Sequence, residues 1–88
     1  MAKGTQDSRY RRLIEALTTA RQAAGISQAD LARKLGQRQQ FVSKYESCER
    51  RLDAIEFIDI CRALALDPTA VIDKAAPDIF KRAGISRS

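Results

Sequence analysis

The chain has 88 residues, 44% of them apolar, and a formal net charge of +5, which suits one small domain with a modest core and excludes a large catalytic cleft. It holds no histidine and only two cysteines, so the commonest general base is missing and neither a metal site nor a disulfide framework is expected. No apolar run approaches the roughly 18 residues of a membrane-spanning helix, and the first residues lack the apolar region of a signal peptide. We therefore expect a cytoplasmic protein that needs no cofactor.

The charge is distributed unevenly along the chain. Residues 1–51 carry eleven basic and five acidic side chains, whereas residues 52–73 carry one basic and five acidic ones. The basic excess of the first part favours an anionic partner there. The acidic segment is expected to be scaffold that faces away from a polyanion.

A polar arm and one long helix are predicted for the first quarter of the chain. Residues 1–7 are polar and show no apolar periodicity, which predicts a flexible arm. Asp7 or Ser8 can cap a helix that runs to about Ala23, before Gly25 ends it. The apolar positions of this helix recur at intervals of three and four, as one buried stripe requires: Tyr10, Leu13, Ile14, Leu17 and Ala20.

Two short amphipathic helices joined by a tight turn are predicted for residues 27–46. Ser27 suits the N-cap of the first one, and Gly36 follows it where a residue that tolerates positive φ ends a helix best. Each helix has an apolar face at helical spacing, formed by Leu31, Ala32 and Leu35 in the first and by Phe41, Val42 and Tyr45 in the second. The other side of the second helix is polar and basic, which equips it to touch base edges and phosphates.

Two further helices are predicted in the acidic segment. Asp53 is a suitable N-cap with Glu56 at the capping-box position, and the helix is expected over residues 53–65. Its apolar face is broad, which indicates either burial on two sides or a subunit contact, and consists of Ile55, Phe57, Ile58, Cys61, Leu64 and Ala65. The Asp67-Pro68 pair starts a short helix over residues 68–74.

The resulting fold class is all-α, with five helices in one domain over residues 8–74. Residues 75–88 form a tail after the domain, in which 78–83 is compatible with a short sixth helix. The apolar residues near this end turn inward or take part in dimerisation: Val71, Ile72, Ile79 and Phe80.

Residues 27–46 and the following segment resemble the Cro/phage-repressor-type helix-turn-helix family of bacterial and phage transcription regulators. The resemblance covers roughly residues 10–73. It implies that Gln28–Leu35 is the positioning helix and that residues 39–47 form the recognition helix in the major groove. The positions that fall at the family's spacing are Gln28, Leu31, Ala32, Leu35, Gly36, Val42 and Tyr45.

The resemblance also implies roles for individual side chains. Arg21 and Glu46 match a structural salt bridge between the first helix and the recognition helix. The side chains that match base-reading positions are Gln39, Gln40, Ser43 and Lys44, and glutamine suits adenine in particular. Those that match phosphate-contacting positions are Gln28, Arg38, Arg50 and Arg51.

Three positions depart from the family pattern. Cys48 and Ala65 stand where relatives usually carry glycine, and Gln37 stands at a turn position that is commonly apolar. A residue other than glycine at position 48 must adopt another turn or accept strain of about 1 kcal/mol or more.

The function that the sequence predicts is specific binding of double-stranded DNA by a transcription regulator, a repressor that acts as a homodimer on a two-fold operator. Because no sensor domain is visible in the sequence, any regulation is expected from the protein level, from a regulatory partner protein or from proteolysis. The alternative is an antitoxin-type interaction module that also represses its own promoter and contacts its toxin through the tail. An enzyme is not expected, since no nucleophile or acid–base constellation is present.

Overall fold

The computed structural model describes residues 7–77, which contain five α-helices and no strand. This confirms the all-α, five-helix expectation. Residues 1–6 of the predicted arm over residues 1–7 lie outside the described residues, as do the short sixth helix, Ile79 and Phe80, whereas Asp7 is the N-cap of α1. The helices are α1 (Ser8–Ala23), α2 (Gln28–Leu35), α3 (Gln39–Glu46), α4 (Ala54–Ala63) and α5 (Pro68–Ala75).

Within residues 7–77, four of the five helices begin at a side chain that accepts a hydrogen bond from one of their free backbone N–H groups. Ser27 Oγ accepts from the backbone N–H of Asp30 at 3.0 Å. Asp53 and Glu56 form a reciprocal capping box at the start of α4, in which each carboxylate accepts from the other residue's backbone N–H, at 2.7 and 3.0 Å. These local bonds fix where the helices start, as the sequence predicted.

Helices α1 to α4 all end in the same turn, which places one residue in the left-handed region and closes with two backbone hydrogen bonds. Gly25 and Gly36 supply that residue after α1 and α2, at φ 71° and 67°. Cys48 after α3 and Ala65 after α4 adopt the same conformation at φ 64° and 57°. The strain expected from the sequence at position 48 is therefore present, and Ala65 belongs to the turn rather than to the apolar face predicted for α4.

The core lies where all five helices meet. Helix α1 packs along α5, while α2 packs against both α3 and α4. The thiol of Cys61 is fully buried there, and this burial raises its pKa to about 11, as expected of an inert core residue. The largest fully buried side chains come from four helices: Leu17, Leu31, Val42, Tyr45, Ile60 and Cys61.

The broad apolar face of α4 is only half covered. Phe57 and Ile60 lie in the core, whereas Ile55 is 66% exposed and Ile58 is 38% exposed. Burial on two sides within one chain, one of the two alternatives for this face, is therefore not what the structure shows. In the part of the chain that the structure describes, no helix is long and apolar enough to cross a membrane.

Candidate DNA interface

Helices α2 and α3 form a tight pair that turns one polar face outward. Leu31 and Ala32 of α2 and Val42 and Tyr45 of α3 are all buried, so the inner face of α3 cannot rotate without opening the core. Gly36 allows the turn between the helices through its left-handed conformation. The four side chains predicted to read bases are all exposed on the opposite face of α3: Gln39, Gln40, Ser43 and Lys44.

The first turn of α3 differs from the starts of the other helices. Its N-cap residue is Arg38, whose side chain makes no capping hydrogen bond. The free N–H groups and the positive end of the helix dipole favour negative charge at such a position. Arg38, Gln39 and Gln40 are exposed beside it, which places a cation and two amides at the positive end of one helix.

Glu46, the last residue of α3, binds α3 to both preceding helices. Arg21 of α1 donates to its carboxylate through Nε at 2.7 Å and through Nη2 at 3.1 Å. Gln28 of α2 donates to the same carboxylate through Nε2 at 2.9 Å. Arg21 also donates through Nη1 to the carbonyl oxygen of Ile26 at 2.7 Å. The structure thus brings together Arg21 and Glu46, and it adds Gln28, which sequence reasoning had assigned only to phosphate.

This cluster is almost closed to solvent. The Arg21 and Glu46 side chains are 10% and 7% exposed, and Glu46 raises the pKa of the Arg21 guanidinium through its hydrogen bonds. A buried pair of this kind is costly to break from one side, because the remaining charge loses its partner. The cluster therefore fixes the orientation of α3 relative to α1 and α2.

Arg50 and Arg51, which were both predicted to contact phosphate, have different surroundings. Arg50 donates two hydrogen bonds to the carboxylate of Glu56, at 2.9 and 2.8 Å, and its guanidinium lies 4.8 Å from the centre of the Phe41 ring. Its hydrogen bonds are the main cause that lowers the pKa of Glu56. Arg51 is exposed and its guanidinium lies 5.7 Å from the centre of the Tyr10 ring.

Tyr10 holds the segment between α3 and α4 in place from the other side. Its hydroxyl accepts a hydrogen bond from the backbone N–H of Leu52 at 3.1 Å, and burial raises the pKa of that hydroxyl. The residue was predicted only as part of the α1 stripe, because its partner lies 42 positions away in the sequence.

The predicted dimerisation residues fall in two groups. Val71 lies in the core and Ile72 is half-buried against it, whereas the other two, Ile79 and Phe80, lie outside the described residues. Within residues 7–77, no group of histidine, cysteine, aspartate and glutamate side chains could hold a metal ion.

The α2–turn–α3 pair, with its inner face in the core and its outer face polar, defines a helix-turn-helix DNA-binding protein. A helix-turn-helix family model, HTH_3, matches residues 17–71, from the middle of α1 into α5. The chain belongs to this family, the XRE/Cro-type helix-turn-helix proteins.

One solved structure shows how far the similarity extends. It is the XRE-family like protein from Pseudomonas syringae pv. tomato str. DC3000, with 49% sequence identity and a TM-score of 0.78, over 84% of this chain and 90% of that one. No curated protein matches the sequence. The chain is thus a DNA-binding transcription regulator of a family that consists of regulators rather than enzymes.

Proposed function

We propose that the protein is a sequence-specific repressor that binds a two-fold operator as a homodimer, with α3 in the major groove. The observation that carries the proposal is the outer face of α3. Its four exposed polar side chains project from a helix whose inner face is in the core and whose last residue, Glu46, is bound to α1 and α2. Readout of base edges needs this rigidity, because each base contact depends on placement within a fraction of an ångström.

The base-reading residues in this proposal are Gln39, Gln40, Ser43 and Lys44. Glutamine can pair with the N6 and N7 groups of adenine, and serine and lysine can bond to bases one turn further along the helix. A single recognition helix spans only a few base pairs. Specificity therefore calls for two copies, with half-sites about one helical turn, roughly 34 Å, apart.

Phosphate contacts would fix the register. Gln28 stands at the first position of α2, and its amide nitrogen has a second N–H besides the one that binds Glu46. Arg38 and Arg51 are exposed cations on either side of the recognition helix. Such contacts carry affinity without sequence information.

We propose that the dimer interface is the exposed face of α4, which contacts a second copy of the chain. Ile55 and Ile58 supply the apolar contact. Asp59 and Arg62 follow on the same face, and neither forms an ion pair within the described residues. A two-fold axis can bring the acid of one copy to the base of the other. The predicted tail interface with Ile79 and Phe80 is the competing arrangement.

Sedimentation at micromolar protein separates the two arrangements. Ile55→Lys together with Ile58→Lys should give a monomer, while deletion of residues 78–88 should leave the dimer intact. The opposite pattern would assign the interface to the tail, and a monomer for the unaltered chain would exclude both.

The antitoxin alternative gains no support from the described part of the tail. An exposed apolar face over residues 71–80 would favour it. Val71 and Ala75 are instead buried against the core.

Selection of bound duplexes from a random library, followed by alanine substitution, tests base reading. Gln39→Ala together with Gln40→Ala should abolish preference for the selected operator, at about 1–3 kcal/mol for each lost contact, and should leave binding to random duplex. Gln22→Ala, at an exposed glutamine of α1, is the matched control. An operator preference as strong as that of the unaltered protein would show that neither glutamine reads a base.

A further inference from the structure

The segment between α3 and α4 contains Arg50, whose guanidinium binds a carboxylate of the domain at a place where a phosphate contact was expected. Besides its two bonds to Glu56, Arg50 donates to the carbonyl oxygen of Arg51 at 3.0 Å. The central carbon of its guanidinium lies over the ring of Phe41, 4.8 Å from the centroid, in the first turn of α3. This one side chain therefore touches the start of α4, the intervening segment and the start of the recognition helix.

Both partners of Arg50 are themselves fixed. Glu56 belongs to the capping box of α4, where its Oε1 also accepts from the backbone N–H of Asp53. The Phe41 ring is half-buried and lies 5.7 Å from the Tyr45 ring, which is fully buried. Arg50 thus connects two anchored groups that belong to different helices.

The connection matters because α3 packs mainly against α2 and α1. The Arg21–Glu46–Gln28 cluster holds the C-terminal end of α3, where Glu46 lies. At the opposite end, Arg38 makes no capping bond, and the adjacent Gln39 and Gln40 are exposed. Phe41 lies at this end of α3, and its contact with Arg50 connects it to Glu56 of α4.

We infer that Arg50 is a positioning residue and not a phosphate contact. It links Glu56 to Phe41 and thereby fixes the N-terminal end of α3, where Gln39 and Gln40 lie. A guanidinium suits this role, since its plane stacks on an aromatic ring while its edge binds a carboxylate in bidentate fashion. Arg51, which lacks a carboxylate partner within the described residues, is left as the phosphate contact. The inference rests on the proposed function for its effect on DNA, but the link itself exists without DNA.

Two substitutions distinguish a positioning residue from a phosphate contact, because the two roles predict different changes in the affinity for DNA. Arg50→Lys keeps the positive charge, which a phosphate contact tolerates, but loses the fork and the stacking plane. Glu56→Gln removes a negative charge, which would tighten binding to a polyanion by electrostatics alone. Glutamine still suits the capping box, so this change acts on the link to Arg50. Arg51→Ala at the neighbouring arginine is the matched control.

The measurement is the affinity for the selected operator and for random duplex over a series of salt concentrations. If Arg50 positions α3, Arg50→Lys and Glu56→Gln each weaken operator binding by roughly 3- to 10-fold. Arg50→Lys leaves random-duplex binding and the salt slope unchanged, and Glu56→Gln does not weaken random-duplex binding. Arg51→Ala weakens binding to both duplexes and reduces the salt slope by about 0.9.

Other outcomes overturn the inference. Tighter binding by Glu56→Gln, together with wild-type behaviour of Arg50→Lys and a reduced slope for Arg50→Ala, would make Arg50 a phosphate contact with which Glu56 competes. Operator binding unchanged in all Arg50 and Glu56 variants would show that the link has no role in readout.

Amide hydrogen exchange in the free protein tests the link independently of DNA. Arg50→Lys and Glu56→Gln should speed exchange at the backbone N–H of Phe41, which donates to the carbonyl oxygen of Arg38 at 2.9 Å, and in residues 47–52, while Arg51→Ala should not. Unchanged exchange would refute the link. If the unaltered protein bound no duplex at all, the proposed function would fail, and the exchange data would still decide on the link.

Discussion

Glu46 should be one of the most sensitive positions in the chain, because its carboxylate accepts three hydrogen bonds from two other helices. Substitution by leucine would leave the Arg21 guanidinium, in a residue that is only 8% exposed, with the carbonyl oxygen of Ile26 as its remaining partner. It would also remove the acceptor of the Gln28 amide. Breaking a buried ion pair from one side costs about 3–5 kcal/mol.

That loss is large for a domain of this size. Stabilities of about 0.05–0.15 kcal/mol per residue are usual, so Glu46→Leu removes a large share of the total. Since 1 kcal/mol shifts the melting temperature of a small domain by about 4–8 °C, a drop of about 12–40 °C is expected. Arg21→Met should cost a similar amount, because it leaves the carboxylate of Glu46 buried with only Gln28.

A double-mutant cycle followed by urea denaturation and circular dichroism tests the assignment. The protein with both Arg21→Met and Glu46→Leu contains no uncompensated buried charge, so its loss should be well below the sum of the single losses, with a coupling energy above about 2 kcal/mol. Glu46→Gln, which keeps the size of the side chain, should fall between wild type and Glu46→Leu. Additive single effects, or a loss below about 1 kcal/mol for Glu46→Leu, would refute the assignment of Glu46 as the anchor of α3.

Three further predictions concern stability and pH. Ala65→Gly should stabilise the protein by about 0.5–1 kcal/mol, because it removes left-handed strain at φ 57°, whereas Ala70→Gly inside α5 should destabilise it by a similar amount; urea midpoints that move in the same direction for both would contradict this. Tyr45→Phe should cost nothing or stabilise slightly, since the buried hydroxyl has no hydrogen-bond partner within the described residues; a loss above about 1 kcal/mol would reveal a partner such as a buried water. Glu56 has a lowered pKa in the folded state, so its contribution is present above its ordinary pKa and is lost as the pH falls through the folded value. The stability difference between wild type and Glu56→Gln, measured by thermal melts from pH 7 downward, should therefore shrink below about pH 4.5, and a constant difference down to about pH 2 would exclude the ion pair with Arg50 as its source.

The local signals in the sequence predicted the helices closely, because helix ends depend on neighbouring residues. Ser27, Asp53 and Asp67 act as N-caps where they were expected, and Gly25 and Gly36 end α1 and α2. The fourth helix is shorter than predicted at its C-terminal end. Apolar spacing alone could not show that Ala65 already belongs to the turn.

The features of the candidate site also divide into those that the sequence predicted and those that it did not. That α3 presents Gln39, Gln40, Ser43 and Lys44 follows from helical periodicity once Val42 and Tyr45 are assigned to the core. The bond between Glu46 and Gln28 and the different surroundings of Arg50 and Arg51 do not follow from it. Both depend on how the helices pack against one another.

The sequence by itself determined the five helices, their order, the apolar face of each and the helix-turn-helix spacing, since all of these arise from capping, turn residues and periodicity within one or two helical turns. Only the tertiary structure decided which side chains have partners within the domain and which do not. It pairs Arg50 with Glu56, closes Glu46 between α1 and α2 and leaves Ile55 and Ile58 exposed. The physical reason is that ion pairing and burial depend on contacts between different helices and the segments that join them, which the packing of the helices creates.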